Sequence, residues 1–339
     1  MITKMSKQQE PYPAGGYVLM TAAYNEEANI ERTIQSVLGQ TQLPQKWVIV
    51  SDGSIDGTDA IVQRYAAEHE FIHFERFERS PGRSFRSKVI ALRRASQVLQ
   101  GHAFDFIGNL DADISLGRSY FEDLTECFAS NPRLGLAGGF VYEKRGEAYE
   151  ALRHNRVYSV PHGAQLVRRE CYEAIGGYAV LEYGGEDWHA ETCARMNGWT
   201  AEAFAHLPIF HHRSTGEADN LLRYKFRAGR MDYSFGSDTL FESFKCLDRI
   251  IEKPLLLGGM ARLAGFAWSW VRRDCRPVSD EFVAFVRRGQ RERLKLLLPW
   301  YRDRNRYARA SSTRVSPSRR ALEQSGTPIT SALPEAKDF

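Results

Sequence analysis

Short apolar runs alternate with helical segments over the first 110 residues, and this alternation constrains the fold more than any other feature of the chain. Apolar runs that fit strands occupy residues 17–22, 47–50, 71–77 and 104–110. Segments with the spacing of amphipathic helices lie between them, at residues 27–40, 58–68 and 87–99. Alternation of this kind is typical of a mostly parallel sheet with helices on both faces. We therefore predict an α/β fold.

Three of the strand-like runs are followed at once by residues that could bind a ligand. Asn25 and Glu26 follow the first run, Asp52 follows the second, and Asp111 and Asp113 follow the fourth. Ligands of parallel sheets bind beyond the carboxyl ends of the strands, so these residues should line one edge. In extended backbone, residues i and i+2 point to the same side, so the two aspartates can converge on one hard cation, or on a ribose and a cation. A solvated pair of turn aspartates is the alternative for an isolated Asp-x-Asp.

Four motifs resemble those of the family 2 glycosyltransferases, which have the GT-A fold. They are TAAYNEE (21–27), VSDGSIDGT (50–58), LDAD (110–113) and GGEDW (184–188), the last preceded by GAQLVRR (163–169) and IGGY (175–178). The resemblance covers roughly residues 16–215 and implies an inverting, metal-dependent transfer from a nucleotide-diphospho-sugar. Ala22 stands where the family usually has Pro, and Ser51 where it has a first Asp. The base preference (uridine, guanosine or thymidine) is therefore left open.

The resemblance implies a nucleotide site formed by the loops after the first two strands and by the Asp-x-Asp motif. Its expected members are Ala22, Tyr24, Glu26, Asp52, Lys88 and Asp111. A carboxylate at Asp52 can accept charge-assisted hydrogen bonds from uracil or ribose. Asp52-Gly53-Ser54 could instead be a turn that caps the next helix. Arg83, Arg86 and Lys88 lie in a glycine-containing loop that could meet phosphate, with a solvated basic loop as the alternative.

A divalent metal, Mg²⁺ or Mn²⁺, is implied on the donor diphosphate. The resemblance assigns Asp113 to the metal, with Asp111 nearer the ribose or a metal-bound water. His211 and His212 end a predicted strand at 207–210, where similar enzymes often carry a metal-ligating histidine. Adjacent strand residues point to opposite faces, so only one of them should reach the site. We favour His211, with His212 as the alternative and a packing histidine as the non-functional interpretation.

The resemblance implies that Asp187 is the catalytic base of an inverting transfer. It would take the proton of the acceptor hydroxyl as that oxygen attacks the anomeric carbon, while Glu186 would orient the donor sugar or the acceptor. Gly184 and Gly185 would let the backbone approach the sugar closely, and a carboxylate is favoured at a helix N-terminus. A helix-starting acidic pair is the alternative. Trp188 could form an acceptor platform, although a core tryptophan is commoner.

The rear half of the chain differs from the front half in charge. Residues 1–220 have a net charge of −7, and residues 221–310 have a net charge of +10. The apolar stretch 254–271 has Arg262 at its middle, which would cost about 3 kcal/mol inside a bilayer. On a helix, one face would carry Gly258, Arg262, Gly265 and Ser269, and the other Leu256, Met260, Leu263, Ala267 and Trp270. We expect this segment and the basic segment 280–298 to lie in an anionic membrane interface rather than to span it. A helical subdomain packed on the catalytic domain or on a dimer partner is the alternative.

These observations predict four regions. They are a flexible N-terminus (1–15), a GT-A catalytic domain (16–216), a helical, basic, amphipathic and membrane-interfacial extension (217–310) and a disordered tail (311–339). Five scattered cysteines fit a reducing compartment, and the first 13 residues contain no apolar leader. We therefore expect a cytoplasmic protein, peripheral at the cytoplasmic membrane face. A homodimer is allowed, and nucleic acid is not expected as a partner because no exposed aromatics interleave with the basic residues.

The leading functional hypothesis is transfer of a sugar to a hydroxyl of a glycan or polyprenyl-linked saccharide, in cell-envelope or exopolysaccharide synthesis. One alternative is a non-enzymatic membrane-surface binding module on a nucleotide-binding α/β fold. Another is a nucleotide-dependent oxidoreductase, which would need Gly-x-Gly-x-x-Gly after the first strand, where the chain has Ala22-Ala23-Tyr24-Asn25. A sugar nucleotidylyltransferase would need a glycine-rich loop with Arg and Lys at the same place.

Overall fold

A computed structural model describes residues 16–78, 85–145, 148–152, 155–213, 221–248 and 257–297. The predicted flexible N-terminus and disordered tail lie outside the described residues, as does Arg83. The strands are β1 (Tyr17–Ala23), β2 (Lys46–Asp52), β3 (Ile72–Phe77), β4 (Phe106–Leu110), β5 (Ile114–Leu116), β6 (Leu134–Arg145), β7 (Ala148–Ala151), β8 (Ala164–Arg168) and β9 (Thr200–His211). The helices are α1 (Ile30–Leu38), α2 (Thr58–Glu68), α3 (Phe85–Val98), α4 (Tyr120–Ser130), α5 (Arg169–Ala174), α6 (Glu186–Met196), α7 (Leu221–Ser234), α8 (Thr239–Asp248), α9 (Leu257–Arg272) and α10 (Asp280–Leu297).

The strands form one mixed sheet, and this confirms the predicted α/β class. Their order is β3-β2-β1-β4-β8-β6-β9-β5, with β7 paired to β6. The first four strands of this order are parallel, as the alternation of strands and helices predicts. The second half is mixed, because β8 runs antiparallel to both β4 and β6, and β5 runs antiparallel to β9. The carboxyl ends of β1, β2 and β4 therefore meet at one edge.

Both faces of the sheet are covered, which explains why β1 is apolar from Tyr17 to Met20. Tyr17 and Leu19 belong to the core that packs on α1, α2 and α4. Val18 and Met20 point the other way, into the core that packs on α3, α5 and α6. Alternate residues of a strand face opposite sides, so a strand buried on both sides needs an unbroken apolar run.

Helix α3 begins earlier than the sequence analysis predicts. The expected loop containing Arg86 and Lys88 is instead the first turn of α3, which starts at Phe85. The helix-breaking residues Pro81 and Gly82 precede Phe85, and neither Gly nor Pro occurs between Phe85 and Val98. Extension of the helix backwards to Phe85 is therefore sterically allowed. The change fixes Lys88 on a rigid element beside the sheet edge.

The helices after β9 pack through small residues and a buried charge. A Cβ atom at Gly229 of α7 would overlap the backbone carbonyl of Arg262 on α9, and a Cβ atom at Gly265 of α9 would overlap that of Phe226. Because only glycine leaves room for a neighbouring backbone at such distances, these two residues permit the close approach of α7 and α9.

Arg262 links three helices through buried ion pairs. Its guanidinium contacts Asp232 of α7, and its Nε lies 3.2 Å from Glu242 Oε1 of α8. Lys245 of α8 joins the network, 2.8 Å from Asp232 Oδ1. The carboxylates therefore supply the counter-charge that a buried guanidinium needs. This network also explains how Arg262 is accommodated in the middle of an apolar stretch.

Helix α9 buries its small and polar face and exposes its apolar face, which is the reverse of an ordinary amphipathic helix. The buried face carries Gly258, Arg262, Gly265 and Ser269, with Phe266 beside it. The apolar side chains of the other face are exposed, namely Leu257, Met260, Leu263, Trp268, Trp270 and Val271. None of the helices in the described ranges has the length and apolarity that a membrane span requires.

We expect Arg262→Ala to lower the free energy of unfolding by about 3–5 kcal/mol, because it leaves two buried carboxylates without their arginine. Urea denaturation followed by circular dichroism measures the change. Met260→Ala, on the exposed face of the same helix, is the matched control and should change it by less than about 0.5 kcal/mol. A small, equal effect of both substitutions would contradict the role given to Arg262.

Candidate active site

The loops after β1 and β2 are joined by hydrogen bonds at the sheet edge. Asn25, in a left-handed conformation (φ 55°), donates its backbone N–H to Ser54 Oγ, and its side-chain oxygen accepts from the Ile55 N–H at 2.9 Å. The Glu26 N–H donates to Thr58 Oγ1 at 2.7 Å. The interlocked loops bring together the first two predicted nucleotide-binding motifs.

The side chains predicted to contact the nucleoside differ in exposure along these loops. Asp52 and Glu26 are buried, Ala22 is half-buried and Tyr24 is exposed. Carboxylates beside an exposed aromatic ring have the chemistry to contact a polar heterocycle.

Lys88 is paired with Asp111 across the sheet edge. Its ammonium nitrogen lies 2.7 Å from Asp111 Oδ1 and 2.9 Å from Oδ2. Burial alone would lower the pKa of Lys88, but the charges of Asp111 and Glu186 raise it above its usual value. The ammonium group therefore stays protonated, and it lies where it could also meet a phosphate.

Asp113 contacts His211 and Arg213 through one oxygen. Its Oδ2 lies 3.2 Å from His211 Nε2 and accepts a hydrogen bond from Arg213 Nη2 at 2.8 Å. Burial alone would raise the pKa of Asp113, but the hydrogen bond from His211 and the charge of Arg213 lower it below its usual value. Asp113 is therefore ionised at neutral pH.

The structure separates the two neighbouring histidines. His211 lies against Asp113, and its Nδ1 is 3.8 Å from Glu143 Oε1. His212 lies elsewhere, with Nε2 3.0 Å from Ser115 Oγ and Nδ1 2.6 Å from the Tyr149 hydroxyl. Burial, followed by nearby positive charge, lowers the pKa of His212 to about 4. The His212 backbone N–H donates to the Asp113 carbonyl at 3.0 Å, but of the two candidates only His211 contacts the Asp113 carboxylate through its side chain.

Arg213 directly follows the two histidines, but it belongs to none of the motifs that predict the site. Its Nη2 bridges two buried carboxylates, lying 2.8 Å from Asp113 Oδ2 and 2.8 Å from Glu26 Oε1. Burial, and then the charge of Asp113, raise the pKa of Glu26. Arg213 thus supplies positive charge between groups that would otherwise repel each other. Sequence could not reveal this pairing because Glu26 and Arg213 are 187 residues apart.

The residues around Asp113 fit a metal that is shared with a ligand rather than one enclosed by the protein. No cluster of three or more His, Cys, Asp or Glu side chains suited to a metal occurs within the described ranges. Asp113 and His211 together offer one carboxylate and one imidazole. Mg²⁺ is commonly bound through one or two carboxylates, with the remaining positions taken by substrate phosphates and water. The site therefore suits an ion that arrives with a diphosphate.

Two glycines in left-handed conformations present Glu186 and Asp187 at the start of α6. Gly184 has φ 84° and Gly185 has φ 86°, and a Cβ atom at Gly185 would press on Met231 and Phe235. Burial raises the pKa values of both Glu186 and Asp187. A carboxylate with a raised pKa is a stronger base, so this turn has the properties that proton abstraction requires.

Trp188 connects this turn to the helices that follow β9. Its ring packs on Phe235, with centroids 4.9 Å apart, and edge-to-face on Phe282 at 5.9 Å. It remains 36% exposed, so it is neither a fully buried core residue nor an open platform. The helical segment that follows β9 (residues 221–248 and 257–297) therefore packs against the turn that carries Glu186 and Asp187.

His162 is a second residue of this edge that sequence reasoning missed. It is buried, and its Nδ1 lies 3.9 Å from Glu186 Oε1. It directly precedes the GAQLVRR motif, and that position was the only available signal.

Comparison with known proteins relates part of this chain to a described family. Residues 19–183 match the family model described as Glycosyl transferase family 2. Poly-β-1,6-N-acetyl-D-glucosamine synthase of Staphylococcus aureus is 28% identical over 124 residues, which cover 37% of this chain and 28% of that protein. The match thus spans under a third of the length of this curated relative.

Two solved structures have a similar fold. S. aureus TarS 1–349, in complex with UDP-GlcNAc, superposes with a TM-score of 0.50 and 13% identity, covering 86% of this chain and 88% of that one. GalNAc-T7, with UDP, GalNAc and Mn²⁺, gives a TM-score of 0.50 and 13% identity over 77% of this chain and 58% of that one. The protein has the GT-A fold, and its residues 19–183 match the model of the family 2 glycosyltransferases.

We expect Arg213→Ala to raise the affinity for Mn²⁺ in the absence of nucleotide, because its guanidinium occupies the Asp113 oxygen that a metal would need. The gain should be roughly tenfold for each 1.4 kcal/mol of repulsion removed, measured by isothermal titration calorimetry. Arg64→Ala is the control, since Arg64 pairs with Glu31 on α1, away from Asp113. Unchanged or weakened Mn²⁺ binding in Arg213→Ala would contradict the competition.

Proposed function

We propose that this protein is an inverting glycosyltransferase that moves a sugar from a nucleotide-diphospho-sugar to a hydroxyl of a glycan acceptor. The observation that supports this most is the arrangement at one sheet edge. The interlocked loops after β1 and β2, a lysine–aspartate pair, an aspartate–histidine pair and a half-buried acidic turn meet at this edge. The nucleotide-diphospho-sugar class of donor is further supported by the family match and by UDP-GlcNAc in the TarS complex.

In this proposal the donor is held from its base to its diphosphate. Ala22, Tyr24, Glu26 and Asp52 line the nucleoside, and Asp111 contacts the ribose. Lys88 adds positive charge beside the diphosphate. Asp113 and His211 hold a divalent cation, Mg²⁺ or Mn²⁺, with Asp111 close by. When bound, the ion would act as a Lewis acid that neutralises charge on the departing diphosphate.

Asp187 is proposed as the general base. Its carboxylate would accept the proton of the acceptor hydroxyl while that oxygen attacks the anomeric carbon from the face opposite the nucleotide, so that the configuration inverts. Asp187 Oδ1 accepts a hydrogen bond from the Trp188 N–H at 2.7 Å, which orients the carboxylate. A positioned base contributes roughly 10²–10⁴-fold to the rate. Glu186, one residue earlier, would orient a sugar hydroxyl.

The acceptor is proposed to be a glycan or a polyprenyl-linked saccharide in cell-envelope or exopolysaccharide synthesis. The resemblance to a polysaccharide synthase supports the glycan part of this proposal. The lipid-linked part is supported by the exposed apolar face of α9, which contains two tryptophans. Exposed apolar patches of this kind mark protein or membrane interaction sites.

We further propose that the helical segment attaches to an anionic membrane at its cytoplasmic face. The apolar face of α9 runs into Arg272 and Arg273, and a groove along α10 is lined by basic side chains, namely Arg276, Arg287, Arg288, Arg291 and Lys295. Basic residues near an anionic leaflet contribute about 1 kcal/mol each. The five free cysteines are compatible with a reducing compartment.

We expect Asp187→Asn and Asp113→Ala to reduce sugar transfer or donor hydrolysis at least 100-fold, assayed with Mn²⁺ and UDP-glucose, UDP-GlcNAc or GDP-mannose. Asp187→Asn should still bind the donor, because it loses the base and not the nucleotide site. Glu173→Gln, an exposed substitution on α5, is the control and should keep wild-type turnover. Undiminished turnover in both site variants would remove the assignment.

We expect the double variant Trp268→Ala/Trp270→Ala to lose at least tenfold in binding to phosphatidylglycerol vesicles, measured by co-sedimentation. Leu43→Ala, an exposed apolar residue between α1 and β2, is the control and should bind as wild type. Added salt should weaken wild-type binding if the arginines contribute. Equal binding by the two variants, or burial of the α9 face in a dimer detected by analytical ultracentrifugation, would contradict membrane attachment through α9.

A further inference from the structure

His162 is a buried histidine whose ring has no hydrogen-bond partner in the part of the chain that the structure describes. It is 7% exposed, and both Nδ1 and Nε2 are buried and unsatisfied. A buried polar group that lacks a hydrogen-bond partner destabilises the folded state. Because native proteins satisfy most such groups, an exception calls for an explanation, such as a ligand that completes the bonding.

The ring lies between the Asp-x-Asp strand and the acidic turn. Glu186 Oε1 is 3.9 Å from Nδ1, which is beyond hydrogen-bonding distance. On the other side, the neighbouring Gly163 carbonyl accepts from the Asp111 N–H at 2.7 Å, and the His162 carbonyl accepts from the Asn109 amide. The imidazole therefore borders the space between the proposed diphosphate position and the proposed catalytic base, Asp187. The donor sugar would lie in this space.

The position of the imidazole is fixed by its surroundings. Its ring packs edge-to-face on Tyr178, with centroids 4.6 Å apart. Glu191 of α6 accepts hydrogen bonds from the Val160 N–H at 2.6 Å and from Ser159 Oγ at 3.2 Å, which ties the turn to the helix that carries Asp187. A side chain held by packing and by neighbouring hydrogen bonds is preorganised for binding.

The imidazole is suited to binding a neutral hydroxyl or amide rather than an anion, because it stays unprotonated. Burial, and then the positive charge of Lys88, lower the pKa of His162 well below its usual value. A neutral imidazole offers one N–H donor and one acceptor nitrogen. A sugar hydroxyl can also donate and accept, so one or two ring substituents could satisfy both nitrogens.

We propose that His162 binds a hydroxyl or acetamido group on the sugar ring of the donor, and that it thereby contributes to the choice of sugar. The inference rests on the proposed function, because it places the sugar of a nucleotide-diphospho-sugar beside Glu186. His162 is then a specificity residue that holds a polar substituent of the ring. A site built to hydrogen-bond such a group rejects an analogue that lacks it, because its buried polar groups are left unpaired.

The test compares donors with the nucleoside diphosphates that lack the sugar. Isothermal titration calorimetry with Mn²⁺ measures affinities for the wild type and for His162→Phe. The ligands are UDP, UDP-glucose, UDP-GlcNAc, GDP, GDP-mannose, dTDP and dTDP-glucose. Phenylalanine keeps an aromatic ring against Tyr178 but removes both nitrogens. We expect His162→Phe to weaken the preferred sugar nucleotide about tenfold while its affinity for the matching diphosphate is unchanged. His73→Phe, on β3, makes the same chemical change away from the site and should alter neither affinity.

A second measurement separates binding from folding. If the ring nitrogens have no partners in the free protein, His162→Phe should leave the urea midpoint unchanged or raise it. A clear fall in the midpoint, or equal weakening of the sugar nucleotide and the diphosphate, would assign His162 a structural role and overturn the proposal. Wild-type affinity of His162→Phe for every donor would overturn it while leaving the proposed transferase intact. Failure of the wild type to bind any of the seven nucleotides would overturn both.

Discussion

The pairing of buried carboxylates with cations at the sheet edge is the interaction on which the site depends. Glu26 follows β1, whereas Asp111 and Asp113 both follow β4. The mutual repulsion of these carboxylates would oppose the closed edge. Lys88 pairs with Asp111, and Arg213 bridges Asp113 and Glu26. These pairs bring α3 and the end of β9 against the centre of the sheet. The free protein thus holds its acidic groups close together before any metal or diphosphate binds.

The helices after β9 contribute to the same site from behind. Phe235 contacts Trp188 and limits the residue at position 185 to glycine, while Phe282 of α10 packs on Trp188 and His189. The turn that presents Asp187 is therefore shaped on one side by the catalytic sheet and on the other by helices that sequence patterning treats as a separate region. Changes in the helical segment can consequently alter the geometry of the proposed base.

Local sequence patterns predicted the sheet edge, because each apolar run and each motif at a strand end consists of consecutive residues. The strand ends of β1, β2 and β4, and the start of α6 at Glu186, could be located in this way. Partners far apart in the chain could not: nothing in the sequence indicates that Arg213 meets Glu26, or that His162 is left without a partner. The mixed half of the sheet could not be predicted either, since β8 pairs with β4 only after the chain has passed through β5, α4, β6 and β7.

Helix α9 has one consequence for how such a chain can change over time. Its rotation about its own axis is set by Gly265 and Arg262, whereas its outer side is formed by a different set of side chains. The residues that secure the helix and the residues that meet its surroundings do not overlap. Mutations can therefore change the exposed face from apolar to polar, or the reverse, with little effect on the stability of the fold. The two properties are free to evolve independently.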